Sequence, residues 1–118
     1  MLPAKNTLEL LKSITVENLY ERLIEQLNKD FHLANVAVNF DIIHSPVLLK
    51  NQLFDVLFHL ITNQYDDYLN LLYRIDVPES ELANLKSDDL RNTIEQITYL
   101  ILKREYQKVW FKQNFDKI

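Results

Sequence analysis

Residues 45–78 read SPVLLKNQLFDVLFHLITNQYDDYLNLLYRIDVP, and this stretch sets the fold class. Ser45 and Pro46 open a helix: the serine hydroxyl can satisfy an orphan amide, and proline has no amide to leave unpaired. From Val47 to Ile61 the helix is apolar nearly all round. Only a narrow stripe of Gln52, Asp55, His59 and Thr62 is polar, which is the pattern of a central helix with neighbours on most sides. The apolar spacing continues through Tyr65, Tyr68, Leu69, Leu72 and Ile75. It predicts one helix over 46–76, about 45 Å long at 1.5 Å per residue. A break at Thr62-Asn63, with Asn63 as a new N-cap, is the alternative. Asp76-Val77-Pro78 ends the helix, because a residue before proline avoids the α region.

On the N-terminal side, Thr7–Ser13 reads as a short helical piece. A clearer helix is expected over 15–34, with Thr15 as its cap and Val16, Leu19, Tyr20, Leu23, Ile24, Leu27 and Phe31 at helical spacing. It should end near Leu33–Asn35, where asparagine can take the left-handed position usually given to glycine. Val36, Val38 and Phe40 alternate with Ala37, Asn39 and Asp41. With no second strand to pair with, this segment reads as an extended connection laid over the core. On the C-terminal side, Pro78–Leu82 suits one short helical turn. Ser87 is then expected to cap a last helix over 87–113, with Asp88 and Asp89 in its first turn. Leu90, Ile94, Ile97 and Ile101 form its core stripe; Leu100, Leu102, Tyr106, Val109 and Trp110 widen it. The expected fold is all-α: a single domain over 1–118, an antiparallel bundle of three long helices (about 15–34, 46–76 and 87–113) plus one or two short ones.

Composition removes several kinds of chemistry. The 118 residues contain no glycine and no cysteine, where average usage would give about eight glycines. Phosphate-cradling loops and nucleophile elbows need glycine. Zinc–thiolate sites, iron–sulfur clusters, thiolate nucleophiles and disulfides need cysteine. The N-terminus MLPAKNTLELLKS is too polar for a signal peptide, and no run approaches the roughly 20 apolar residues of a membrane span. A cytoplasmic protein is the simplest expectation. Net charge is −4, but unevenly spread. Lys103, Arg104, Lys108, Lys112 and Lys117 against Glu105 and Asp116 leave the last 16 residues at +3 and the other 102 at −7.

Three constellations bear on function. Asp55 and His59 are four apart on one helix, so an acid could orient an imidazole for general-base work or for ligand binding; a solvated or mutually satisfied polar seam is the plainer reading. Asp41-x-x-His44 and Asp30 beside His32 raise a metal site, but no Glu-x-x-His pair occurs, and neither metal nor cofactor is expected. The acids between Gln64 and Leu90 lack the alternate spacing of a calcium loop and read as a solvated, helix-capping edge. The C-terminal stretch KREYQKVWFKQNFDKI interleaves bases with aromatics. Tyr106, Lys108, Trp110, Phe111, Lys112 and Phe115 are the candidate protein-interaction residues, because aromatics flanked by bases anchor interfaces. Phe111 and Phe115 share a phase that differs from that of Tyr106 and Val109. The expectation is therefore a non-enzymatic interaction module with a protein partner or a second copy of itself. Membrane-surface or single-strand nucleic-acid contact through the same tail is a weaker reading, against which the negative body argues.

Overall fold

The computed structural model describes residues 6–115 and contains six helices: α1 (Thr7–Val16), α2 (Tyr20–Leu33), α3 (Pro46–Asn63), α4 (Tyr65–Ile75), α5 (Glu79–Ala83) and α6 (Leu90–Phe115). There is no strand among the described residues. Asp116 and Lys117, counted in the basic tail, lie outside them, as do the first five residues of the N-terminus.

The span 46–76 is two helices, not one. Ser45 caps α3 as expected, accepting from the Leu48 amide at 3.3 Å. The break falls at Gln64, whose φ of −141° and ψ of 60° leave the helical region. Polar side chains just before it compete for the backbone. Thr62 Oγ1 donates to the Phe58 carbonyl at 2.8 Å. Asn63 does not cap α4; its amide turns back to Thr62 Oγ1 and to His59 Nδ1. Asp66 and Asp67 then sit in the first turn of α4, where the helix dipole favours them.

The first helix also differs from its expected place. Asn6 caps α1, accepting from the Glu9 amide at 2.9 Å. Thr15 caps nothing: it lies in the last turn of α1 and its hydroxyl donates to the Leu11 carbonyl. The chain reverses at Asn18, with φ of 60°, before α2 begins. Val16, expected in the core stripe, is exposed. At the other end of the chain, Asp89 takes the capping role expected of Ser87. Its Oδ1 accepts from the Arg91 amide at 2.9 Å, while Ser87 Oγ braces the Asp89 main chain. A carboxylate is the stronger acceptor at the positive end of a helix.

Among the described residues, Asn18, Asn35 and Asp76 have positive φ. These are the residue types that tolerate the left-handed region when glycine is absent. Asn35 ends α2 at the expected place, and Asp76 ends α4. Arg104 fixes the second of these turns, donating from Nε to the Asp76 carbonyl at 3.0 Å and from Nη2 to Oδ2 at 3.2 Å.

The central helix is α6, which packs against α1, α2, α3 and α4. Its 26 residues extend about 39 Å, close to the 41 Å long axis of the molecule. Helix α3 is placed more to the side than its composition suggests. Leu49, Leu53, Leu57 and Leu60 enter the core, while Val47, Leu48 and Phe58 are exposed. Leu69 of α4 and Leu90 of α6, both expected inside, are exposed as well.

The connection between α2 and α3 forms neither helix nor strand, contains turns closed by Val38 N–H to Val36 C=O and His44 N–H to Asp41 C=O, and lies on the core. Val36 and Phe40 are buried, and the Phe40 ring meets Phe31 edge-on at 5.1 Å. Asn28 of α2 holds Phe40 at two points. Its Oδ1 accepts from the Phe40 amide at 2.7 Å, and its Nδ2 donates to the Phe40 carbonyl at 2.9 Å. The side chain thus does for one residue what a neighbouring strand would do.

Candidate functional site

The end of α6 carries a continuous aromatic surface. The Phe111 and Phe115 rings stack at 5.4 Å, and Trp110 meets Phe111 edge-on at 5.4 Å. Trp110 is partly buried against the core, whereas Phe111 is 47 % and Phe115 57 % exposed. Tyr106 and Val109 face inward. The Tyr106 hydroxyl donates to Glu17 Oε2 at 2.7 Å; burial and that carboxylate hold it protonated well above its ordinary range. The two phases of this helix therefore lie on different surfaces, one core and one solvent.

Lys112 lines a shallow groove of about 150 Å³ with Arg22, Glu25 and Lys29 of α2. Arg22, Lys29 and Lys112 make no ion pair among the described residues. The groove thus holds three bases and one acid, Glu25. Lys108 is placed differently. Its ammonium turns inward, 2.9 Å from Asp30 Oδ2 and 3.3 Å from Glu105 Oε1.

That contact belongs to a buried polar cluster between α2 and α6. Glu105 is 0 % exposed and Asp30 is buried beside it. Gln26 also donates to Asp30 Oδ2, at 3.1 Å. As a carboxylate, Glu105 finds an aligned hydrogen-bond donor for neither oxygen; as an acid it can donate to Asp30. Burial first, and the Asp30 carboxylate second, push its pKa up to about 9. Burial raises the pKa of Asp30, but the hydrogen bonds from Glu105, Lys108 and Gln26 outweigh it and hold that carboxyl below its ordinary value. The cluster is therefore one anion, one cation and one neutral acid at pH 7. The sequence holds a signal for it: Glu105 follows Ile97 and Ile101 at four-residue steps on the core stripe, and Asp30 sits between the core residues Leu27 and Phe31.

Asp55 and His59 do not hydrogen-bond to each other. His59 Nδ1 lies 3.2 Å from Asn63 Nδ2. Asp55 and His59 both line a groove of about 440 Å³ bounded by α3, α4 and the connection between α2 and α3. Asp41 and His44 serve a turn. Asp41 Oδ1 accepts from the Ile43 amide at 3.0 Å, and the His44 carbonyl accepts from Tyr20 at 2.6 Å. No group of three or more histidines and carboxylates among the described residues is arranged to hold a metal ion, and no described helix is long and apolar enough to cross a membrane. No family model, curated protein or solved structure gives a significant match to this chain.

Proposed function

We propose that this chain is a non-enzymatic helical module that binds another protein through the end of α6. The observation that carries the reading is the exposed Phe111–Phe115 stack with Trp110 at its edge. Aromatic side chains offer large apolar area at low entropic cost and dominate interface energetics. Lys112, next to Phe111 in the chain and outside any ion pair among the described residues, favours a partner whose docking face is apolar and acidic. A second copy of the chain docking through the same surface is the homodimeric form of this reading.

The test is affinity purification of the tagged full chain at low and moderate salt, with mass spectrometry and light scattering of the eluate. The reading expects a stoichiometric partner or a dimer that the double variant Phe111→Ser/Phe115→Ser loses while its helical circular dichroism stays intact. Partner recovery and hydrodynamic size unchanged in that variant would refute it.

A further inference from the structure

Helix α4 is apolar on more of its circumference than the core covers. Tyr68, Leu71, Leu72 and Ile75 are buried. Tyr65, Leu69 and Tyr73 follow one another at four-residue steps, so they stand in a row on one face. They are 55 %, 46 % and 88 % exposed. Single exposed apolar residues are ordinary on a protein surface, but a continuous row along one helix is a face without a partner. None of the three belongs to the end of α6.

The charges beside this row identify its occupant. Asp66 and Arg74 lie on the same side of it, Asp66 close by and Arg74 further round, where its long side chain can reach back. Both are exposed, and neither is in an ion pair among the described residues. Each is four residues from Asn70, one before it and one after. A two-fold axis at the level of Asn70 sets a second α4 antiparallel to the first. That operation lays the charged side of one row against the charged side of the other, with Asp66 of each copy level with Arg74 of its mate. Leu69 then meets Leu69 across the axis, and Tyr65 comes within about 3 Å, along the helix, of the level of Tyr73. The face is thus complementary to itself in apolar surface and in charge, as an isologous interface must be. We propose that the chain forms a two-fold dimer through α4. Tyr65, Leu69 and Tyr73 pack against their copies, and two Asp66–Arg74 pairs close one edge.

One short helix from each copy makes an interface of the small, transient class. The full chain is therefore followed by sedimentation up to about 1 mM, where even a weak dimer is populated. Monomers giving way to dimers with rising concentration are expected. Leu69→Asp, a change at a half-exposed site, sets two carboxylates against each other across the axis. It should abolish the dimer while helical circular dichroism stays intact. Arg74→Glu leaves only acids along the closing edge, and Asp66→Arg only bases. Each should weaken dimerisation about tenfold, because two partly exposed attractions become repulsions. Mixed together, these two variants again face acid with base, and the mixture should recover the wild-type affinity. Phe111→Ser/Phe115→Ser should leave the dimer unchanged, so failure here and failure at the end of α6 are told apart. A monomer at every concentration, or a dimer that survives Leu69→Asp or is lost with the two phenylalanines, would overturn the inference. So would a dimer indifferent to the charge changes, or charge variants whose mixture stays as weak as its parts.

Discussion

Replacing Glu105 by glutamine removes one titratable proton and leaves volume and shape almost unchanged. In the unfolded chain this carboxyl ionises at its ordinary value of 4.5, whereas burial and Asp30 push it up to about 9 in the folded protein. Folding at pH 7 must therefore place a proton on a group that would otherwise be ionised. The cost is set by the distance from 4.5 to 7, at 1.36 kcal/mol per unit, or about 3 kcal/mol. It depends little on the folded value so long as that value lies above 7. The sign follows from the raised pKa. The contribution of Glu105 to stability is full below pH 4.5 and is lost progressively as pH rises towards 9. Glutamine is neutral throughout; its amide can donate to Asp30, and its carbonyl can accept from Lys108. Glu105→Gln should thus stabilise the protein by about 3 kcal/mol at pH 7, a rise of roughly 10 °C in Tm for a domain of this size. The gain should shrink towards zero near pH 4.5. Urea denaturation of both proteins from pH 4.5 to 9 measures it, and the difference between them cancels every other titrating group. A variant that is less stable at pH 7, or a difference flat across that range, would refute the account of a buried neutral acid.

Other changes test other links. Leu57→Ala empties a fully buried site in α3 and should cost about 2–5 kcal/mol in urea denaturation; a loss below 1 kcal/mol would contradict the packing. Asn35→Ala forces a β-carbon without a compensating polar group into φ of 62° and should cost about 1 kcal/mol, whereas Asn35→Gly should be close to neutral. Equal effects of the two changes would remove the left-handed explanation. Asn28→Leu strips the Phe40 main chain of both its bonds and should cost about 2–3 kcal/mol, with faster amide exchange at Phe40 as the local readout. Exchange unchanged at that amide would show that the two-point grip does not hold the connection.

Much of the fold is legible in the residues because local chemistry and tertiary packing agree there. Ser45-Pro46, Asn35 and Asp76-Val77-Pro78 each mark a boundary by backbone chemistry alone, and the structure puts helix ends at all three. The absence of helix from Val36 on is legible because the two-residue period there conflicts with the helices on either side. Gln64 is less so: the apolar period crosses it without interruption, and the break comes from Thr62 and Asn63 turning their side chains onto the preceding helix. Helix α3 misleads because an all-round apolar sequence does not state which neighbours exist. Four of its leucines are covered, and Val47, Leu48 and Phe58 are left outside. The separation of Tyr106 and Val109 from Phe111 and Phe115 follows from helical phase. The polar cluster is harder to foresee, since Asp30 and Glu105 are 75 positions apart in sequence, and only the packing of α2 on α6 brings them together.

The order of synthesis gives the long α6 a further significance. It is made after α1, α2, α3 and α4, yet it is the element against which all four pack. As translation proceeds at about 5–20 residues per second, these helices, which also pack on one another, spend seconds without the part of their cover that α6 supplies. Nothing emerging earlier can replace the wall that Ile94, Ile97, Ile101 and Val109 provide. The core is therefore completed only when α6 docks.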